Sequence, residues 1–284
     1  MPWFLYISNV FLARSESAMA KYCGRRGGKS MVFNTAKSSS ATVVCLISAL
    51  IFGFTPHIGT ATLSIFYGMA LSLATYSGIR ALNSGSMAIA SMLASFSLII
   101  PFFFGMIFLG ERPSLLGYIG LALVLLSIIV LNTKGGRVGA ECWIFSILTM
   151  IANGICSVIQ KQHQILYPGK YQTELLLFSM LVSALIFILI SAFSKNITAK
   201  DFMPQSIRST LSLGSISGVC HCFANLTVLY LASQENATVL FPVLSAANMI
   251  GSCLVGRLIF KERLAINQLI SLALGIASVV LLKI

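Results

Sequence analysis

Four groups of polar residues recur at helical spacing inside otherwise apolar stretches of this sequence. Asn9 and Glu16 are seven residues apart, two helical turns, and so share a helix face; Asn153 and Gln160 repeat that spacing. His221 and Asn225 are i,i+4 neighbours, and Ser245, Asn248 and Ser252 form another polar stripe. Amides, an imidazole and a carboxylate placed this way can hold a solute by hydrogen bonds, neutralise an ion or exchange a proton. They do not make a covalent catalytic set. Neither a Ser/His/Asp group, an HExxH string nor a carboxylate pair stands out, so no enzyme is expected, and without a Walker A sequence ATP is not the direct energy source. Cys220-His221-Cys222 has ligand types for a metal, but adjacent residues diverge by about 100° around a helix, which spoils a shared tetrahedral site. Neither a metal nor another cofactor is expected.

The surroundings explain why such groups matter. Hydrophobic residues make up 57% of the 284 and charged residues 9%, against about 25% charged in soluble domains. With a mean hydropathy of +0.92, this chain could not cover its apolar surface in water. Its apolar runs have the length that crosses about 30 Å of hydrocarbon as helix, and strand-type alternation is not evident. The fold class expected is an all-α membrane protein with about ten transmembrane helices, over 3–21, 38–56, 60–79, 86–109, 114–132, 142–160, 173–193, 209–231, 237–259 and 264–283. Ionisable groups inside a bilayer are costly and mark function, which singles out Glu16. Arg14 falls on a different face of the same run, about 10 Å of helix rise from Lys21, so snorkelling would satisfy it. Ala18-Met19-Ala20 resembles a signal cleavage site, but no basic segment precedes the run and it is read as a span. The seven cysteines have no framework spacing and read as small packing residues.

The chain repeats itself. LISALIF at Leu46–Phe52 returns as LVSALIF at Leu181–Phe187. Gly110-Glu111-Arg112 returns as Lys261-Glu262-Arg263, and Leu121-Ala122-Leu123 with Ser127 return 151 residues later as Leu272-Ala273-Leu274 with Ser278. Matches in the same order imply two units: residues 1–132, a seam at 133–141, and residues 142–284. A five-span unit is odd-numbered, so its second copy enters the bilayer inverted, the organisation of many secondary transporters with a midplane site. The net charge of +12 sits in short loops, where the positive-inside bias accounts for it; without a basic face carrying interleaved aromatics, nucleic acid is excluded as a partner. Fourteen Lys and Arg fall at odd-numbered loops and four at even-numbered loops and the tail, which puts the odd loops in the cytoplasm and both termini outside.

Phe108-Leu109-Gly110-Glu111 followed by Gly117-Tyr118-Ile119-Gly120-Leu121, within two five-helix halves, resembles the EamA-like branch of the drug/metabolite transporter superfamily. The first helix is also similar to that of the small multidrug resistance proteins, whose membrane glutamate binds protons and cationic drugs. Here Arg14 stands where that glutamate is expected, so its role does not carry over. The resemblance implies a transporter with both termini in the cytoplasm, the reverse of the loop charge count.

The function expected is secondary-active transport by alternating access, in the export direction, of a small metabolite, amino acid or organic cation, coupled to protons or another gradient. Asn9, Glu16, Asn153, Gln160, His221, Asn225 and Asn248 are the candidate cavity residues. Pro101 and Pro242, each inside a span, are candidate gating kinks. Tyr67 and Tyr76 read as core aromatics, and Glu111 and Glu262 as residues that fix turns. Partners are the small-molecule substrate, the lipid bilayer and, among assemblies the class admits, a homodimer. A compact chain of this kind fits a bacterial inner membrane. The competing readings are a helper or flippase subunit for a lipid-linked substrate, which wants an apolar cavity, and an intramembrane enzyme, which wants clustered carboxylates or histidines.

Overall fold

A computed structural model describes residues 3–84, 94–131, 139–193, 205–258 and 266–283. Among them are ten helices and no strand: α1 (Trp3–Arg25), α2 (Ser30–Phe52), α3 (Ile58–Ser84), α4 (Ile99–Phe108, entered through a 3-10 turn at Phe96–Leu98), α5 (Leu115–Leu131), α6 (Ala140–Leu166), α7 (Gln172–Phe193), α8 (Gln205–Gln234), α9 (Ala237–Leu258) and α10 (Ile266–Lys283). Among the described residues four segments are long and apolar enough to cross a membrane by themselves, Ile58–Ala81, Ala140–Leu166, Gln172–Phe193 and Ser209–Gln234. Large apolar side chains point outward, Ile58 at 87% exposure and Phe193 at 83%, a surface that only a hydrocarbon solvent tolerates in such quantity.

Helix α8 is the spine: α1 and α2 lie against it, and α2 also packs on α7. Helix α3 lies against α6 and α7, α4 against α6 and α9, and α10 against α5 and α9. Apolar packing is concentrated in two clusters. One joins α9 to α1, α4, α5 and α10 around Leu98, Ile128, Leu240 and Phe241. The other joins α2, α3, α6, α7 and α8 around Cys45, Tyr67, Leu176 and Met180.

Helix α2 begins eight residues before the span expected at 38–56. The stretch from Ser30 to Lys37, expected in the loop before that span because it is not apolar, is helix. Neighbouring helices satisfy its polar groups and those that follow: Thr35 Oγ1 lies 3.4 Å from Ser191 Oγ, Lys37 Nζ pairs with Glu16, Ser38 Oγ lies 3.1 Å from Ser183 Oγ, and Ser40 Oγ donates to Ser215 O at 2.9 Å. Glycines let α2 and α8 meet closely. A Cβ on Gly214 would lie 2.8 Å from Ala36 Cβ and 2.9 Å from Phe33 O, and one on Gly218 would collide with Ser40 Oγ and Lys37 O. Helix α6 likewise runs to Leu166, so Lys161 is buried helix and not loop. Removing Lys37 and Lys161 from the loop charges leaves the direction of the odd-loop bias unchanged.

The Gly-Glu pair after α4 also reaches further than its own turn. Gly110 adopts φ 65°, the left-handed region, and Glu111 accepts backbone N–H groups from Ala237 and Thr238 at 2.9 and 2.8 Å. A carboxylate there satisfies the open N–H groups of α9 and its dipole. The counterpart at Glu262 lies outside the described residues.

Candidate functional site

Between the two apolar clusters lies a cavity of about 430 Å³, within the range of small-molecule sites. Helices α1, α3, α6, α8 and α9 wall it, together with the segment from Ala94 to Leu98 that leads into α4. All seven residues singled out by spacing reach it: Asn9 and Glu16 from α1, Asn153 and Gln160 from α6, His221 and Asn225 from α8, and Asn248 from α9. The i,i+7 and i,i+4 pairs thus come to one place from four helices. Ser245 of the same α9 stripe donates to Ser95 O at 3.1 Å, and the side chain of Ser252 lies outside the described residues.

A line of hydrogen bonds runs along the wall. Gln160 Nε2 donates to Tyr67 Oη at 2.8 Å and to Asn225 Oδ1 at 3.1 Å, and Tyr67 Oη donates to Asn225 Oδ1 at 2.6 Å. Asn225 Nδ2 donates to His221 O at 2.8 Å and lies 3.3 Å from His221 Nε2. His221 Nδ1 lies 3.0 Å from Glu16 Oε2. With Asn225 donating to Nε2, the imidazole is neutral with its N–H at Nδ1, directed at the carboxylate. The other Glu16 oxygen is ion-paired with Lys37 Nζ, the lysine side chain 5% exposed. Every donor on the line points toward Glu16, so one carboxylate is its terminus. Asn9 stands beside it, donating through Nδ2 to Ala224 O at 2.9 Å.

The fold explains the meeting of Lys37, His221 and Glu16. Both α1 and α2 lie on α8, and Gly218, one turn before His221, allows the backbone of Lys37 against α8. Lys37 was missed in the sequence because it sat beyond the apolar run and counted as a loop charge. Tyr67 is a buried aromatic as expected, at 1% exposure, but its hydroxyl joins α3 to α6 and α8. Tyr76 instead packs edge-on against Phe145.

Arg14 does not snorkel away from the interior; it lines the cavity. The wall takes up Asn9, Ala13, Arg14, Glu16 and Ser17, a stripe of α1 wide enough to join the two faces that spacing had separated. Its methylene stem runs past α9, where a Cβ on Gly251 would lie 3.0 Å from Arg14 Cγ. Cys222 turns away from His221's partners, its sulfur 3.0 Å from that of Cys45 on α2. Pro242 lies inside α9, next to the cavity residue Phe241. Pro101 lies in the first turn of α4; its ring opposes the carbonyl four residues back, on Ser97, where the helix tightens to 3-10 form.

Residues 3–133 match the family model of the EamA-like transporter family. No curated protein matches the chain significantly. A solved crystal structure, described only as that of a protein, shares the fold at a TM-score of 0.73 and 17% identity, covering 98% of this chain and 94% of the other. Members of that family are transporters and not enzymes. Over residues 3–133, just under half of its length, the chain is thus similar to the EamA-like transporter family of membrane transporters of the drug/metabolite type, and its apolar helices are those of a multi-pass membrane protein.

Proposed function

We propose that this protein is a secondary-active exporter that works by alternating access and holds its solute in the cavity bounded by Asn9, Glu16, Asn153, Gln160, His221, Asn225 and Asn248. The observation that carries the reading is the convergence of those seven side chains on one 430 Å³ space. Its wall is rich in amides and hydroxyls, which argues against a helper subunit whose cavity would be apolar.

The inverted-repeat reading, with halves at 1–132 and 142–284 about a seam at 133–141, has support in which helices meet. Shifting every helix number by five exchanges α1 on α8 with α6 on α3, and α2 on α8 with α7 on α3. The pairs α2 with α7, α4 with α9 and α5 with α10 map onto themselves. The cavity wall follows a similar exchange, with α1, α3 and the segment leading into α4 from one half and α6, α8 and α9 from the other. Rocking of the halves about such a wall would open it to either side in turn, with Pro101 and Pro242 as the places where α4 and α9 bend.

Glu16 is the coupling group in this reading. A proton, or a group of the solute, that takes the place of Lys37 or His221 on its carboxylate breaks the hydrogen-bond line at its terminus. That releases α8 from α1 and, through Asn225 and Tyr67, from α3 and α6. The natural setting is a bacterial inner membrane, with lipid around the outward apolar side chains and a homodimer as the assembly to look for. The substrate expected is a small metabolite, amino acid or organic cation.

Counterflow in proteoliposomes across amino acids, organic cations and nucleotide sugars tests this directly. Exchange of at least one solute is expected, lost in Glu16→Gln and reduced in Asn153→Ala. Undiminished exchange by both variants would overturn the site.

A further inference from the structure

We propose that Cys45 and Cys222 form a thiol–disulfide switch: a small oxidant joins their sulfurs, and the bond staples α2 to α8 and holds the protein in the conformation described above. The pairing follows from how the two helices meet. Contacts advance in step along both of them. A Cβ on Gly214 would meet Phe33 and Ala36, one on Gly218 would meet Lys37, Ser40 and Ala41, and the Cys45 sulfur lies 3.0 Å from that of Cys222. Cys45 is one turn beyond Ala41, and Cys222 one turn beyond Gly218. The two glycines allow so close a crossing that the sulfurs of the next turn come face to face.

Other described cysteines are placed differently. Cys23 Sγ lies 3.5 Å from Thr210 Oγ1 and Cys142 Sγ 3.5 Å from Ala81 O, each with an oxygen and not a second sulfur as its partner. Cys45 and Cys222 are 1% and 0% exposed, enclosed by the apolar cluster of α2, α3, α6, α7 and α8. A single thiol so enclosed is inert. A pair differs, because the second sulfur is already placed to resolve the first. The enclosure also selects the oxidant, which has to be small and uncharged, as hydrogen peroxide is.

With peroxide the step balances. One thiol is oxidised to a sulfenic acid as the peroxide O–O bond breaks and a water leaves. The other sulfur then attacks the sulfenic sulfur, the S–S bond forms, and the hydroxyl leaves as a second water. Two electrons and two protons pass from the thiols to peroxide, and a dithiol reductant reverses the change. The sulfurs have to approach by about 1 Å. Cys222 directly follows His221, and Cys45 lies about two turns beyond Lys37. The bond therefore fastens the two helices that carry the partners of Glu16. On the inverted-repeat reading α2 and α8 belong to opposite halves, and fastening them stops the rocking; formation of the bond does not depend on that reading.

The test treats the full chain, in detergent and in proteoliposomes, with hydrogen peroxide, alongside Cys45→Ala, Cys222→Ala and a chain that keeps only these two cysteines. Intact mass and peptide mapping read the bond, counterflow reads exchange, and dithiothreitol is added last. A bond between Cys45 and Cys222 is expected in the native and two-cysteine chains, with a raised melting temperature. Exchange should fall at least about tenfold on oxidation and return with the reductant. Both alanine variants should exchange at the native rate before and after peroxide. Folded protein without that bond, a bonded chain that exchanges at the native rate, or an equal loss of exchange in the alanine variants would each overturn the inference. Failure of the transport reading is distinguishable: if no chain exchanges any solute, the bond and the shift in melting still decide, and the absence of either removes the switch.

Discussion

Two lysines are buried in this bundle and are held in opposite ways. Lys161, on α6, donates to the carbonyls of Ala232 at 3.1 Å and Glu235 at 2.5 Å, at the end of α8. Its partners are main-chain carbonyls, neutral dipoles that do not titrate, and a cation there complements the helix C-terminus. Lys37, on α2, holds the carboxylate of Glu16 in the wall of the cavity. Its partner can be protonated or claimed by another cation. The first lysine fastens a turn whose other side is fastened by Glu111 on α9; the second is part of something that can change. Burial and charge are the same in the two places, and only the nature of the partner separates architecture from a working group.

Substitutions sharpen that contrast. The largest effect is expected for Lys37→Met, which leaves a charged Glu16 without its ion pair and should cost about 3–5 kcal/mol. Denaturation in detergent checks this, and Glu16→Gln with Lys37→Met should restore most of the stability without restoring exchange. Lys161→Met removes two charge-assisted hydrogen bonds, a loss of about 1.5–3 kcal/mol, yet the folded protein should exchange solute within about twofold of the native rate. A Lys161→Met variant of native stability that does not transport would erase the distinction.

Smaller effects follow along the same two lines. Tyr67→Phe keeps the ring and removes the hydroxyl between Gln160 and Asn225. It should cost about 1 kcal/mol and slow exchange severalfold in the same vesicle assay. Glu111→Gln weakens the N-terminal cap of α9 by about 0.3–1 kcal/mol, a small fall in melting temperature with exchange retained.

Much of this site was legible in the sequence because polar residues at i,i+4 and i,i+7 have few reasons to lie in one face of an apolar helix. Asn9, Glu16, Asn153 and Gln160 were found that way, as were His221 and Asn225. The partnerships were not legible. Glu16 meets His221 across 205 residues and Lys37 across 21, and spacing within one helix says nothing about which helices touch. Lys37 was hidden by the rule that finds spans, since a polar first half of a helix reads as loop until its neighbours are known. Arg14 was misjudged for a related reason: snorkelling assumes that the nearest water is at the membrane surface, whereas the cavity is nearer. The Gly-Glu pair was visible as a turn, but its hold on α9 depends on a helix that follows more than a hundred residues later.

In the proposed transport cycle the cavity is reached from one side of the membrane and then from the other. Thiol labelling of Asn153→Cys, with the seven native cysteines replaced, measures this most directly. A membrane-impermeant maleimide is applied to right-side-out and inside-out vesicles. Labelling is expected from both sides, shifting in opposite directions on the two sides when a transported solute is added. Labelling from one side only, unchanged by any solute that the protein exchanges, would contradict it.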